Sequence, residues 1–109
     1  MGAEALLSLS AELPDGALVL DPDRMSNYRW DRANDPSAGT PLAVAKVTST
    51  ADVQAVLRFA SSHGIPVVTR GAGSGLSGGA TAIDGAIMIS TERMRQIEID
   101  PLTRTAVVE

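Results

Sequence analysis

The stretch Arg70-Gly71-Ala72-Gly73-Ser74-Gly75-Leu76-Ser77-Gly78-Gly79 decides how this chain is read. Half of the chain's ten glycines fall inside it. Each glycine costs backbone entropy on folding, so such a cluster needs a reason. Successive glycines let the backbone alternate in handedness, which turns consecutive N–H groups toward one point and forms an anion-binding nest. They also leave no Cβ in the way of a close ligand. Ser74 and Ser77 add hydroxyl donors. The loop directly follows Val67-Val68-Thr69, an apolar strand-like run, and ligands of α/β sheets bind where strands end. A loop from residue 70 to 85 is long for a compact domain unless it has a task. A phosphate or diphosphate is the natural guest.

Two familiar phosphate loops fit poorly. Gly73-x-Gly75-x-x-Gly78 spells the G-x-G-x-x-G fingerprint, but that fingerprint needs a helix opening inside the motif. Here Gly79-Ala80-Thr81-Ala82-Ile83-Asp84-Gly85 follows, and then a β-like run, Ala86–Ile89. A nicotinamide-binding unit would therefore require a helix after Gly78 that this segment is too short and too glycine-bearing to form. A Walker loop needs Gly-Lys-Ser/Thr, and the only lysine is Lys46.

Working outward from the loop, residues 42–69 read as β-α-β. Leu42–Val47 is a nearly continuous apolar run, expected to be a buried strand. Ser49-Thr50-Ala51-Asp52 has the form of a capping box. Val53, Val56, Leu57 and Ala60 then share one helical face. Gly64 and Pro66 end that helix, and Val67–Thr69 is expected to be the parallel partner of the first strand. After the loop, Ile97 and Ile99 alternate with Gln96 and Glu98, the pattern of a half-buried strand. Asp100-Pro101 opens a turn and Arg104–Val108 returns as a hairpin.

Residues 1–40 read as a helical lead-in. Leu6, Leu9 and Leu13 place a short amphipathic helix over residues 3–12, ended by Pro14-Asp15-Gly16. Asp21-Pro22 is an N-cap with proline at the first helical position. The Pro/Gly-bearing connector Asn34–Pro41 is the best boundary, which divides the chain into a lead-in, 1–40, and a second part, 41–109.

Composition bounds the chemistry. Nine Lys+Arg against thirteen Asp+Glu give a net charge of −4, with no basic stripe for nucleic acid or an anionic membrane. Cysteine is absent, which removes disulfides and thiolate chemistry, and the lone His63 leaves no histidine metal cluster. No run approaches a membrane span and no secretory signal opens the chain, so a cytoplasmic location is expected.

Residues 66–79, Pro66-Val67-Val68-Thr69 and the glycine loop, resemble the pyrophosphate loop of FAD-linked oxidases of the vanillyl-alcohol oxidase type. The resemblance is strongest to the branch that holds the flavin-binding component of glycolate oxidase together with D-lactate dehydrogenase. Residues 41–64 resemble that family's first strand and helix, and Ile87–Glu109 resembles the strand, Glu92-Arg93-Met94 turn and hairpin after its loop. Lys46 departs from the usual proline-bearing end of the first strand. The resemblance implies an α+β fold: the first lobe of a PCMH-type FAD-binding domain, behind the lead-in. It implies that Arg70, Gly71, Ala72, Gly73, Ser74, Gly75, Leu76, Ser77 and Gly78 hold the FAD pyrophosphate, mainly by backbone N–H groups. Without histidine or cysteine in the loop, the FAD should be non-covalent. It further implies oxidation of a 2-hydroxy acid, with catalytic and substrate-binding residues supplied by later parts of a longer chain. The apolar run Ala106-Val107-Val108 before Glu109 fits that expectation of a truncated domain.

Other residues have two readings each. Arg70 is either a phosphate donor or a structural salt-bridge partner outside the ligand. His63 suits a helix C-terminus better than catalysis. Tyr28 and Trp30 are expected to anchor the lead-in by packing. Asp21, Asp23, Asp31 and Asp35, interleaved with Arg24, Arg29 and Arg32, are expected to form a solvated mixed face rather than a metal site. Met88 and Met94 read as core. The competing account of the whole chain is a non-enzymatic module that covers its exposed edge strand, Arg104–Val108, by self-association.

Overall fold

A computed structural model describes residues 3–109. The central helix, α3 in chain order, runs Thr50–His63 and shows why the local sequence folds as it does. Ser49 is extended, and its hydroxyl accepts from the Asp52 amide at 3.2 Å. The Asp52 carboxylate reaches back to accept from the amide and hydroxyl of Thr48, at 3.0 and 2.8 Å. Two of the donors near the helix start are thus satisfied reciprocally. At the other end Gly64 takes φ +64°, its N–H bonds the Ser61 carbonyl, and the Ile65 N–H bonds that of Ala60. That is a Schellman stop, and Pro66 follows it.

A four-stranded sheet lies beside this helix. Its strands are β1 (Leu18–Val19), β2 (Ala43–Lys46), β3 (Val67–Arg70) and β4 (Ile87–Ser90), in spatial order β1-β2-β4-β3. β2, β4 and β3 are parallel and β1 is antiparallel to β2. The expectation that β2 and β3 pair directly is corrected: β4 lies between them, aligning Val44 and Val68 to either side of Met88. The reason is burial. Ile87-Met88-Ile89-Ser90 is buried at every position, and a strand covered on both faces belongs in the middle of a parallel sheet.

Each face of the sheet has its own core. On one face Ala43, Ala45, Val47, Ile87 and Ile89 meet Val56 and Ala60 of α3 and Leu6, Leu9 and Leu13 of the N-terminal region, the first two on helix α1 (Ala3–Glu12). On the other, Val44, Val68 and Met88 meet Val19, Met25 and Ala82, with Tyr28 packed alongside. Met25 ends a short helix, α2 (Pro22–Met25), whose N-cap Asp21 accepts from the Asp23 amide as its Asp-Pro pair foretold. A 3-10 turn, Ser26–Tyr28, follows. Met94 is half-buried against the first core.

A separate antiparallel hairpin, β5 (Ile97–Asp100) with β6 (Thr105–Val108), completes the described chain. Here a second expectation is corrected. Ile97 and Ile99 are 63% and 75% exposed, not half-buried. Alternation placed Ile97, Ile99, Ala106 and Val108 on one face, as pairing requires, but no element of the described residues packs on that face.

Candidate functional site

The glycine loop leaves the sheet at Arg70, the last residue of β3. Ser90 ends the neighbouring β4 and Lys46 ends β2 beyond it, so the loop begins at the carboxyl edge of the parallel strands. A cleft of about 520 Å³ opens there, lined by Arg24, Asn27, Tyr28, Lys46, Arg70, Gly71, Ala72, Ser90 and Glu92. This is the position that open parallel sheets use for ligands. The loop then crosses the second face of the sheet, where Gly78, Gly79, Thr81 and Ala82 border a smaller cleft of about 410 Å³ with Asp35 and Gly39. No helix follows Gly78; residues 80–86 are irregular and turning until β4 begins. The nicotinamide-unit reading fails on that point.

Hydrogen bonding divides the loop in two. Among the described residues, the amides of residues 71–77 bond no protein acceptor. From Ala80 onward the backbone is tied down: the Ala80 amide donates to Asp31 at 3.3 Å, Thr81 to the Gly78 carbonyl at 3.1 Å, and Ala82 to the Arg29 carbonyl at 2.9 Å. The front of the loop thus presents a run of free donors with the Ser74 and Ser77 side chains beside them. Leu76 is fully exposed in their midst, at 78%. Nothing lies within 4 Å of a Cβ built on Gly79, and only the Thr91 hydroxyl, at 4.0 Å, meets one on Gly71. Free amides, hydroxyls and open space behind small residues suit a diphosphate, so the residues present fit FAD at this loop.

The two readings of Arg70 are separated by its partners. Its guanidinium donates to the carbonyl of Trp30 at 2.6 Å and of Asn27 at 3.3 Å. It also lies 5.8 Å from the Tyr28 ring centroid. No carboxylate pairs with it among the described residues, so the structural role takes the form of a clamp on main-chain carbonyls rather than a salt bridge. Gly73, at φ +72°, packs against this guanidinium: a Cβ there would stand 2.6 Å from Arg70 Cζ.

Tyr28 and Glu92 close one side of the larger cleft. The Tyr28 hydroxyl donates to Glu92 Oε1 at 2.6 Å, and Lys46 Nζ stands 3.7 Å from the same oxygen. The hydroxyl's bond holds the Glu92 carboxyl below the usual range, against burial and with help from the Lys46 charge. Burial, then the Glu92 bond, pushes the Tyr28 phenol up. Tyr28 packs as expected, whereas Trp30 is 40% exposed and lies under the Arg29 guanidinium, 4.5 Å from its ring centroid. Arg29 in turn donates to the Gly39 and Ala38 carbonyls at 2.9 and 2.8 Å.

Asp31 departs from the solvated face expected of the acidic cluster: it is buried, 4% exposed. Its carboxylate accepts from the Ala33 amide at 2.9 Å and from Ala80 and Thr81 of the glycine loop. The Ala33 amide chiefly, then the loop's amides and hydroxyl, hold it below the usual carboxylate range despite burial. In the sequence Asp31 sits among arginines and other aspartates, and no local pattern marks it out. The other acids are local: Asp35 accepts from the Ser37 amide and hydroxyl in a surface turn. His63 bonds the Phe59 carbonyl at the end of α3, just before β3 starts, and so at the opposite end of the sheet from the loop.

Comparison with known proteins decides the family. Residues 41–109 match the family model described as FAD binding domain. The chain belongs to this family. The chain is 40% identical over 83 residues to the D-lactate dehydrogenase of Archaeoglobus fulgidus, covering 73% of this chain and 19% of that protein. It is 36% identical over 107 residues to the D-2-hydroxyglutarate dehydrogenase of Xanthomonas citri pv. viticola, covering 95% and 22%. It is 39% identical over 105 residues to glycolate oxidase subunit GlcD of Escherichia coli, covering 95% and 21%. The chain thus spans about a fifth of the length of these curated relatives. Among solved structures it superposes on p-cresol methylhydroxylase with a TM-score of 0.74 at 25% identity, over 90% of this chain and 20% of that one. It superposes on alkyldihydroxyacetonephosphate synthase with a TM-score of 0.86 at 16% identity, over 100% and 22%, a likeness of fold alone. The PCMH-type α+β fold expected from the loop is the fold observed, and FAD is the cofactor of the family. No helix of the described residues is long and apolar enough to cross a membrane.

Proposed function

We propose that this chain is the N-terminal, FAD-binding portion of a cytoplasmic dehydrogenase that oxidises a 2-hydroxy acid of the glycolate or D-lactate type. The observation that carries the reading is the row of unbonded amides at residues 71–77, set at the carboxyl edge of a parallel sheet. In this reading the loop from Arg70 to Gly78 holds the FAD diphosphate through main-chain donors, with Ser74 and Ser77 hydroxyls beside them. Arg70 acts at the loop's root by fixing it to Trp30 and Asn27. The flavin, when bound, supplies the acceptor for a substrate hydride. The chain's own residues bind and orient that group and do not touch substrate; the substrate-facing side chains come from the remaining four-fifths of a protein of its relatives' size. We propose that the flavin is held non-covalently at this loop, which has no cysteine or histidine to tether it; the one histidine, His63, lies at the far end of the sheet.

The test uses the enzyme that carries this domain, purified with its flavin. Anaerobic mixing with glycolate, D-lactate and D-2-hydroxyglutarate in turn should bleach the flavin's visible absorbance with at least one of them. A flavin-loaded enzyme left unbleached by every 2-hydroxy acid refutes the substrate class. Denaturation in acid should release all the flavin; flavin that stays with the precipitated protein refutes non-covalent binding. A second reading, a module that self-associates through its hairpin, draws on the exposed Ile97, Ile99 and Val108. It requires a concentration-dependent dimer in sedimentation, and a monomer at all concentrations removes it.

A further inference from the structure

We propose that Asp31 is the positioning residue of the glycine loop: its carboxylate binds the loop's second half from beneath and so confines the cofactor's diphosphate to the amides of residues 71–77. The inference rests on the FAD reading of the loop and goes further, by dividing the loop's donors between the protein and the cofactor. Asp31 is buried, 4% exposed, beneath the loop. An Asx-type bond from the Ala33 amide to its Oδ1 fixes its side chain. Its two oxygens then accept from the Ala80 amide and the Thr81 hydroxyl, both at 3.3 Å. The next residue, Arg32, donates its amide to the Gly75 carbonyl at 2.9 Å. A Cβ on Gly75 would lie 3.8 Å from Asp31 Oδ2, which places the carboxylate under the middle of the loop. Residues 31 and 32 therefore hold the loop at its centre and its far end, while Arg70 holds its root.

The physics explains why an acid sits beneath an anion site. Ordering backbone residues costs conformational entropy, and a glycine loop left mobile would charge that cost against cofactor binding. An ionised acceptor makes stronger hydrogen bonds than a neutral one. Asp31 therefore orders the loop before the cofactor arrives. It also fills with a fixed carboxylate the donors that would otherwise offer a second, competing anion position. The negative charge repels the diphosphate at the same time. That conflict gives the proposal a sign: if Asp31 acts only as a nearby charge, neutralising it must tighten binding; if it positions the loop, neutralising it must weaken binding.

The experiment measures FAD affinity of the full chain by flavin fluorescence, for wild type and for Asp31→Asn, beside amide hydrogen exchange of the wild-type protein without ligand. We expect the FAD Kd of Asp31→Asn to rise about tenfold, the loss of one charge-assisted hydrogen bond. An unchanged or lower Kd in a folded variant overturns the proposal. In the wild type, the Ala80 amide should exchange about tenfold or more slowly than those of residues 71–77, because bonded amides exchange only on opening. Equal exchange overturns the proposal even if the variant fails to fold. Absence of FAD binding by the wild type, with Ala80 protected, instead strikes the assignment of the diphosphate and leaves loop ordering by Asp31 supported.

Discussion

Replacing Gly73 by alanine tests whether Arg70 clamps the loop's root. Two costs add at this position. The first is the left-handed backbone, φ +72°, which penalises a Cβ by roughly 1–2 kcal/mol. A stiffer unfolded chain returns about 0.4–1 kcal/mol of that. The second is steric: the new Cβ would sit 2.6 Å from Arg70 Cζ and must push the guanidinium off the Trp30 and Asn27 carbonyls. Two lost hydrogen bonds at about 1 kcal/mol each bring the expected total to about 2–3 kcal/mol. Gly16→Ala separates the two costs. Gly16 has nearly the same φ, +74°, but nothing lies within 4 Å of its Cβ position, so it reports the backbone cost alone, about 1 kcal/mol or less. Urea unfolding followed by circular dichroism measures both, and at roughly 4–8 °C per kcal/mol the difference is also visible in Tm. Combining Gly73→Ala with Arg70→Met should reduce the cost of the glycine change to the Gly16 level. If Gly73→Ala costs no more than Gly16→Ala while Arg70 is present, the guanidinium does not hold the loop and the clamp is refuted.

Other outcomes follow from the same packing. Met88→Ala, in the middle of the central strand between Val44 and Val68, should cost about 2–5 kcal/mol in denaturant unfolding. Ser49→Ala removes the acceptor of the Asp52 amide and should cost about 1 kcal/mol by the same assay. Gly39→Ala should destabilise by about 1–3 kcal/mol, because its Cβ would stand 2.7 Å from the Ile83 carbonyl carbon, main chain that the Gly39–Ala82 hydrogen bond keeps close. Stability should also fall in acid. Asp31 and Glu92 have folded pKa values below their ordinary ones, so the unfolded chain takes up protons first as pH drops. Their contribution is complete above the ordinary carboxylate pKa of about 4 and drains as pH falls through the folded values. Urea midpoints measured down that range should fall less steeply for Asp31→Asn than for wild type.

Local chemistry was legible in the sequence wherever neighbours in the chain decide the structure. Ser49 to Asp52 capped α3, Gly64 stopped it in the left-handed conformation, and Asp21-Pro22 opened α2. The glycine loop announced both its place after β3 and the family to which the chain belongs. What the chain order concealed was long-range. β2 and β3 looked like direct partners because they flank one helix, yet the buried run Ile87–Ser90, later in sequence, takes the central place. β1 is two residues of an apolar run, Ala17–Leu20, too short to show a period. Ile97 and Ile99 alternate correctly for a hairpin, but alternation says which face is apolar and not what covers it. Within the site, the loop's glycines and serines were readable; its supports were not. Asp31 resembles its solvated neighbours until the fold brings residues 80 and 81 to it, across some fifty positions of sequence.

The assignment of the diphosphate to the loop's front amides is tested most directly by the amide NMR spectrum of the chain, titrated in parallel with FAD, ADP and riboflavin. FAD and ADP share a diphosphate, and riboflavin carries the ring without it. The resonances of Gly71 to Ser77 should move with FAD and with ADP and stay in place with riboflavin. If those amides ignore ADP, or if the shifts gather elsewhere on the sheet, the glycine loop is not where the diphosphate is held.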